Sequence, residues 1–193
     1  MYNMNYYIFK HDWDFDLLKS EEPFDPYSGK PINFGRELLD NFPKITLSFK
    51  SKQLPDSIPN FNGYIVFNQK IISELKEAGV DYIQYFDVDV ENKAGEVVSD
   101  DYKCLNILKV VDAIDFENSN LKWTDLEKGE TEEDRSILGV LDLRLNYSAI
   151  DNLPLFRLKG LETFLVFRED VAENIVNKGY EGLAFYPAEG YYS

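Results

Sequence analysis

Two stretches of this chain, 100 residues apart, carry the same apolar rhythm and align without a gap. In the first, Tyr64-Ile65-Val66-Phe67 is followed by Ile71, Ile72, Leu75, Gly79 and Ile83-Gln84-Tyr85-Phe86. In the second, Phe164-Leu165-Val166-Phe167 is followed by Val171, Ala172, Ile175, Gly179 and Leu183-Ala184-Phe185-Tyr186. Identities are few (Val66/Val166, Phe67/Phe167, Gly79/Gly179), yet the pattern matches throughout. Each copy spells a strand, a short helix and a second strand. Apolar residues at i, i+1 and i+4 give such a helix one buried face. The glycine suits the left-handed position that ends a helix. Asn68 can cap the first helix, and Glu169 and Asp170 favour the positive end of the second. The repeat is either a duplicated unit or a common supersecondary pattern used twice.

Around these copies the sequence predicts further elements. Tyr6-Tyr7-Ile8-Phe9 and the alternating Ile45-Thr46-Leu47-Ser48-Phe49 read as strands. Glu22-Pro23, Asp25-Pro26, Ser28-Gly29 and Lys30-Pro31 mark an irregular connection between them. Tyr102 to Asp115 reads as a helix, its polar Lys103, Asn106, Lys109 and Asp112 recurring every three residues. Asn118 to Arg135 is polar and acidic and reads as a long exposed loop. Leu141, Leu143 and Leu145 alternate with Asp142 and Arg144 as a half-buried strand, and Leu155-Phe156-Arg157-Leu158 is another. The expectation is one α+β domain over residues 1–193, with 1–60 its less typical part. Roughly six to eight strands in a mainly antiparallel or mixed sheet would carry about three or four packed helices.

Composition narrows the function classes. Of 193 residues 44% are hydrophobic and 15% aromatic, ample for a folded core. No apolar run approaches the roughly 20 residues a membrane helix needs, and the start of the chain lacks signal-peptide features. A single cysteine, Cys104, allows no internal disulfide. These features point to a cytoplasmic setting. Thirty-five acidic residues against 20 basic leave a net charge of −15. Residues 81–134 hold 16 acids and 5 bases, a net of −11, so the middle of the chain carries most of the imbalance. Such a surface repels nucleic acid and anionic membranes and attracts basic partners. Acidity also serves solubility alone.

Reactive chemistry is thinly supplied. The one histidine is His11, and no Gly-x-Ser-x-Gly turn accompanies it. Cys104 lies in an apolar segment that suits a buried side chain better than a nucleophile. Neither a Gly-x-x-x-x-Gly-Lys loop nor a Gly-x-Gly-x-x-Gly fingerprint is present, and no cofactor is expected. Asp87, Asp89 and Glu91 alternate with Val88 and Val90, which places three carboxylates on one side of a strand. They would form either a divalent-ion site or a solvated, partner-facing strip. In the acidic stretch, Asp125, Glu127, Glu130, Glu132, Glu133 and Asp134 offer a negative surface for a partner, or a solubilising loop.

Several segments together resemble a bacterial immunity protein family encoded beside polymorphic toxins, the immunity family numbered eleven. They are Tyr102 to Asp115, Leu155-Phe156-Arg157-Leu158, and the second repeat copy with Val166-Phe167, Gly179 and Leu183-Ala184-Phe185-Tyr186-Pro187. The resemblance covers roughly residues 60–188, and Arg168 departs from it where a small capping residue is expected. It implies a non-catalytic protein that binds a cognate toxin domain and blocks it. It transfers no catalytic residue, and it leaves oligomeric state open. Alternatives are a divalent-metal enzyme using Asp87, Asp89 and Glu91, and a small-molecule or regulatory binding module.

Overall fold

A computed structural model describes residues 5–12, 30–37, 44–49, 53–131 and 134–193. The turn signals at Glu22-Pro23, Asp25-Pro26 and Ser28-Gly29 lie outside the described residues, as do Glu132 and Glu133. No helix among the described residues is long and apolar enough to cross a membrane.

Both repeat copies form as the sequence predicts. The first runs from β3 (Ile65–Asn68) through α2 (Gln69–Glu77) to β4 (Ile83–Glu91). Asn68 caps α2 by accepting the Ile71 amide at 3.2 Å, and Gly79 follows the helix at φ 85°. The second runs from β10 (Leu161–Arg168) through α3 (Glu169–Asn177) to β11 (Leu183–Pro187), with Gly179 at φ 71°. Arg168 holds the N-cap position of α3 without capping it; its guanidinium pairs with Asp170 instead.

In each copy a strand from elsewhere in the chain slips between the two parallel ones. For the first copy this is β5 (Val97–Ile107), and for the second it is β1 (Tyr6–His11). Cys104 of β5 pairs with both Val66 and Phe86. Ile8 of β1 pairs with both Val166 and Tyr186, the positions 100 residues on. The repeat is therefore carried down to the register of the sheets.

The first copy builds a four-stranded sheet, β2-β4-β5-β3, in which β2 (Ile45–Ser48) runs parallel to β4. The second builds a five-stranded sheet, β11-β1-β10-β9-β6, with β9 (Leu155–Leu158) and the two-residue β6 (Val110–Val111) at one side. A hairpin of β7 (Asn120–Trp123) and β8 (Ile137–Asp142) forms a third layer. Pairing is antiparallel except at β2–β4 and β6–β9, so the sheets are mixed.

Three cores follow from this layering. The central one lies between the sheets, where Phe67, Leu105, Leu165 and Phe167 meet Ile71, Ile72, Leu75, Val171, Ala172 and Ile175 of the two helices. A second fills the outer face of the four-stranded sheet around Val66, Val88, Tyr102 and Cys104. A third fills the outer face of the five-stranded sheet, where Ile8, Phe156 and Val166 meet Val140, Leu143 and Leu145.

Three expectations need correction. Residues 102–115 are not a helix but the end of β5, then β6. The end of β5 from Tyr102 to Ile107 is covered on both faces, and a doubly buried strand reads as a near-continuous apolar run that mimics a helix. The α+β class stands, but the described residues hold only two helices of nine residues, α2 and α3, besides the single turn α1 (Lys30–Asn33). Part of the expected 118–135 loop is strand β7.

One buried cation ties the layers together. Arg157 of β9 is 1% exposed and donates to three backbone carbonyls. Nε reaches Ile107 at 3.1 Å, Nη1 reaches Glu162 at 2.8 Å and Nη2 reaches Ile32 at 3.0 Å. Burial lowers its pKa to about 10, which leaves it charged at neutral pH. Gly35, at φ 65°, allows the chain after α1 to cross this site. A Cβ there would stand 2.8 Å from the Ile107 carbonyl oxygen.

Candidate functional site

The carboxylate strip on β4 forms as its alternation requires. Val88 and Val90 are buried, while Asp87 is exposed and Asp89 and Glu91 are half-buried on the other face. Lysines answer two of the three. Lys103, cross-strand from Asp87, brings Nζ to 2.7 Å of its carboxylate, and this bond holds the Asp87 carboxyl below the usual range. Lys44 reaches Asp89 at 2.6 Å. Among the described residues no group of three or more His, Cys, Asp or Glu side chains is placed to hold a metal ion. The strip is thus a partly neutralised ladder of ion pairs on the face of a sheet.

The second acidic element is the turn joining β7 to β8, and it has local order. The Glu130 carboxylate accepts the Glu127 amide at 2.7 Å. Asp134 accepts both the Thr131 amide, at 2.7 Å, and the Thr131 hydroxyl, at 2.9 Å. These bonds lower the Asp134 pKa. Asp125, Glu127, Glu130 and Asp134 are all exposed. The strip and the turn belong to different sheets.

The potentially reactive groups are spent on structure. His11 Nε2 lies 3.1 Å from the Tyr64 carbonyl, which can only accept, so Nε2 carries the proton. Nδ1 then accepts the Ser57 hydroxyl at 3.3 Å. Burial pushes the His11 pKa down to about 4, so the ring is neutral at physiological pH. Ser57 is fully buried, and the pair braces β1 to the loop before β3. Cys104 is also fully buried, and burial raises its thiol pKa far above neutrality.

Two features escaped the sequence reading. One is an open cavity of about 580 Å³ beside the C-terminal residues, lined by Lys10, Tyr186, Tyr191 and Tyr192 among others. The Lys10 ammonium lies 4.4 Å from the centroid of the Phe164 ring, and burial lowers its pKa. The other is Leu141, expected to share a buried face with Leu143 and Leu145 but 57% exposed. Val140 pairs with Leu121 and faces the core, so its neighbour must point outward. The strand ends at Asp142, and only beyond it do Leu143 and Leu145 return to the interior. An apolar residue on an outer face has no periodicity of its own to announce it.

A model of the Immunity protein family (Imm11) matches residues 6–190. The chain belongs to that family. The match spans all three sheets, both repeat copies and the β7–β8 hairpin, well beyond the 60–188 region that carried the sequence resemblance. No curated protein matches this Imm11 chain.

Proposed function

We propose that this Imm11 protein neutralises a cognate toxin domain by stoichiometric binding in the cytoplasm, without catalysis. The observation that carries the reading is the family match over residues 6–190. The site chemistry supports it, because an inhibitor works through complementary shape and charge rather than reactive groups. A basic toxin domain is the partner that suits a net charge of −15. Asp125, Glu127, Glu130, Glu132, Glu133 and Asp134 are its first proposed contacts. Asp87, Asp89 and Glu91 are secondary ones, since Lys103 and Lys44 already offset part of their charge.

The test is calorimetric titration with the toxin domain encoded beside this gene, repeated across ionic strengths. A one-to-one complex that suppresses the toxin's activity is expected, with association slowing as salt rises. Absence of any complex would sink the immunity reading. A complex indifferent to salt would retain it and remove the basic partner.

A further inference from the structure

Lys10 sits where the fold otherwise places apolar side chains. Residues alternate along β1, so Lys10 shares the sheet face of Tyr6 and Ile8, both buried in the outer core of the five-stranded sheet. Its ammonium lies 4.4 Å from the centroid of the Phe164 ring and 5.5 Å from that of Tyr191. The two rings favour its charged form. Among the described residues no carboxylate pairs with it. Lys10 is half-buried, and what it faces is the cavity of about 580 Å³ walled by β1, the end of β11 and residues 189–192.

The walls of this cavity are aromatic and fixed. Tyr191 meets Phe164 edge-on with ring centroids 5.5 Å apart, and Tyr186 at 6.3 Å. Backbone bonds from Gly190 to Leu143, at 2.9 Å, and from Leu143 to Tyr191, at 3.0 Å, hold that segment in place. The acid in the wall, Glu189, is turned to other partners: it accepts the Leu145 amide at 3.0 Å and pairs with Arg144 at 3.5 Å. The volume falls within the roughly 300–1,000 Å³ of small-molecule sites, which are apolar clefts with a few placed polar groups. An ammonium that has lost part of its water and has no counter-ion gains most from an anion brought to it. One cation beside the Glu189 carboxylate suits a single negative charge and disfavours a dianion.

We propose that this cavity binds a small monocarboxylate with an aromatic body, its carboxylate on Lys10 and its ring among Tyr186, Tyr191 and Tyr192. The tyrosines supply flat apolar walls, and the lysine fixes which end of the ligand enters. This is a second activity of the chain and does not rest on the immunity reading.

The experiment titrates the nitrogen-labelled full chain with 3-phenylpropanoate, with its uncharged amide and with phenyl phosphate, and follows the backbone amide signals by NMR. The acid is expected to shift the signals of Lys10, Tyr186 and residues 189–192. The amide is expected to bind at least about 10-fold more weakly, the loss of one charge-assisted hydrogen bond. Lys10→Met should show that same loss for the acid, while Lys10→Arg keeps the charge and binds within about threefold of wild type. Lys93→Met, which alters an exposed lysine in the turn between β4 and β5, is the control and should bind like wild type. Thermal melts establish that the variants fold, and the comparison of acid with amide needs no variant. The proposal is overturned if 3-phenylpropanoate, benzoate and indole-3-acetate all leave these signals unmoved up to about 10 mM. It is overturned equally if the amide or Lys10→Met matches the wild-type affinity for the acid. Phenyl phosphate binding more tightly than the acid would overturn the monocarboxylate class.

Discussion

Asn174 donates its side-chain amide to the Glu74 carboxylate at 2.6 Å, across the same 100 residues that separate the two repeat copies. Equivalent positions of the two helices therefore touch each other. Contact between equivalents is what a local two-fold arrangement produces. Lys178 and Tyr180 add donors to the same carboxylate, at 2.5 Å and 3.0 Å, so one acid on α2 collects three partners from the second copy.

Glu74 is 7% exposed, and the Lys178 ammonium foremost holds its carboxyl below the usual range. A depressed carboxyl contributes stability that is present above its unfolded pKa, about 4.3, and is lost as pH falls through the folded value. Glu74→Ala is expected to cost about 1–3 kcal/mol at pH 7, by leaving three donors short of an acceptor. Urea unfolding at pH 7 and in acid is the measurement. The gap between variant and wild type narrows below about pH 4.

Arg157 offers a second test, because its three acceptors belong to three separate segments. Arg157→Met keeps much of the volume but strands the carbonyls of Ile32, Ile107 and Glu162. A loss of about 1–3 kcal/mol for each carbonyl left buried without a donor is expected. Arg157→Lys should recover little of it, since one ammonium cannot reproduce a planar fork of donors. Denaturant titration of both variants decides the matter.

His11 makes stability depend on mild acid. Its folded pKa, pushed to about 4, lies below the unfolded value near 6.5. Between these limits the unfolded chain binds the proton and the folded one does not. The contribution is whole above about pH 6.5 and falls, by up to about 3 kcal/mol, as pH drops toward 4. His11→Gln is expected to flatten this part of the stability–pH curve, measured by chemical unfolding at half-unit steps from pH 7.

The Cys104 thiol should resist aromatic disulfide reagents in the folded protein and react fully once denatured. It is fully buried, with Val66 and Phe86 as its neighbours across both flanking strands. Fast labelling under native conditions would contradict that placement.

What the sequence discloses depends on whether the signal is local. Both helices of the repeat were legible because Ile71, Ile72 and Leu75, and their counterparts Val171, Ala172 and Ile175, share the helical period with caps and glycines in place. β5 was not, because Tyr102 and Cys104 face one core and Leu105 and Ile107 face another, leaving no alternation to read. The alternation of Asp87, Asp89 and Glu91 was visible, but their neutralisation was not. Lys103 meets Asp87 only through strand register, and Lys44 arrives from a different strand end. In the sequence Arg157 is one residue of a strand. Its partners are backbone carbonyls, which carry no side-chain signature.

The pairing of β1 has a consequence in time. Tyr6 pairs with Arg168 and Tyr7 with Pro187, so β1 is flanked by β10 and β11, strands that lie far from it in sequence. The centre of the five-stranded sheet cannot close until β10 and β11 are available to β1, and such distant pairings form slowly. Until then β1 offers two unpaired edges to whatever is nearby.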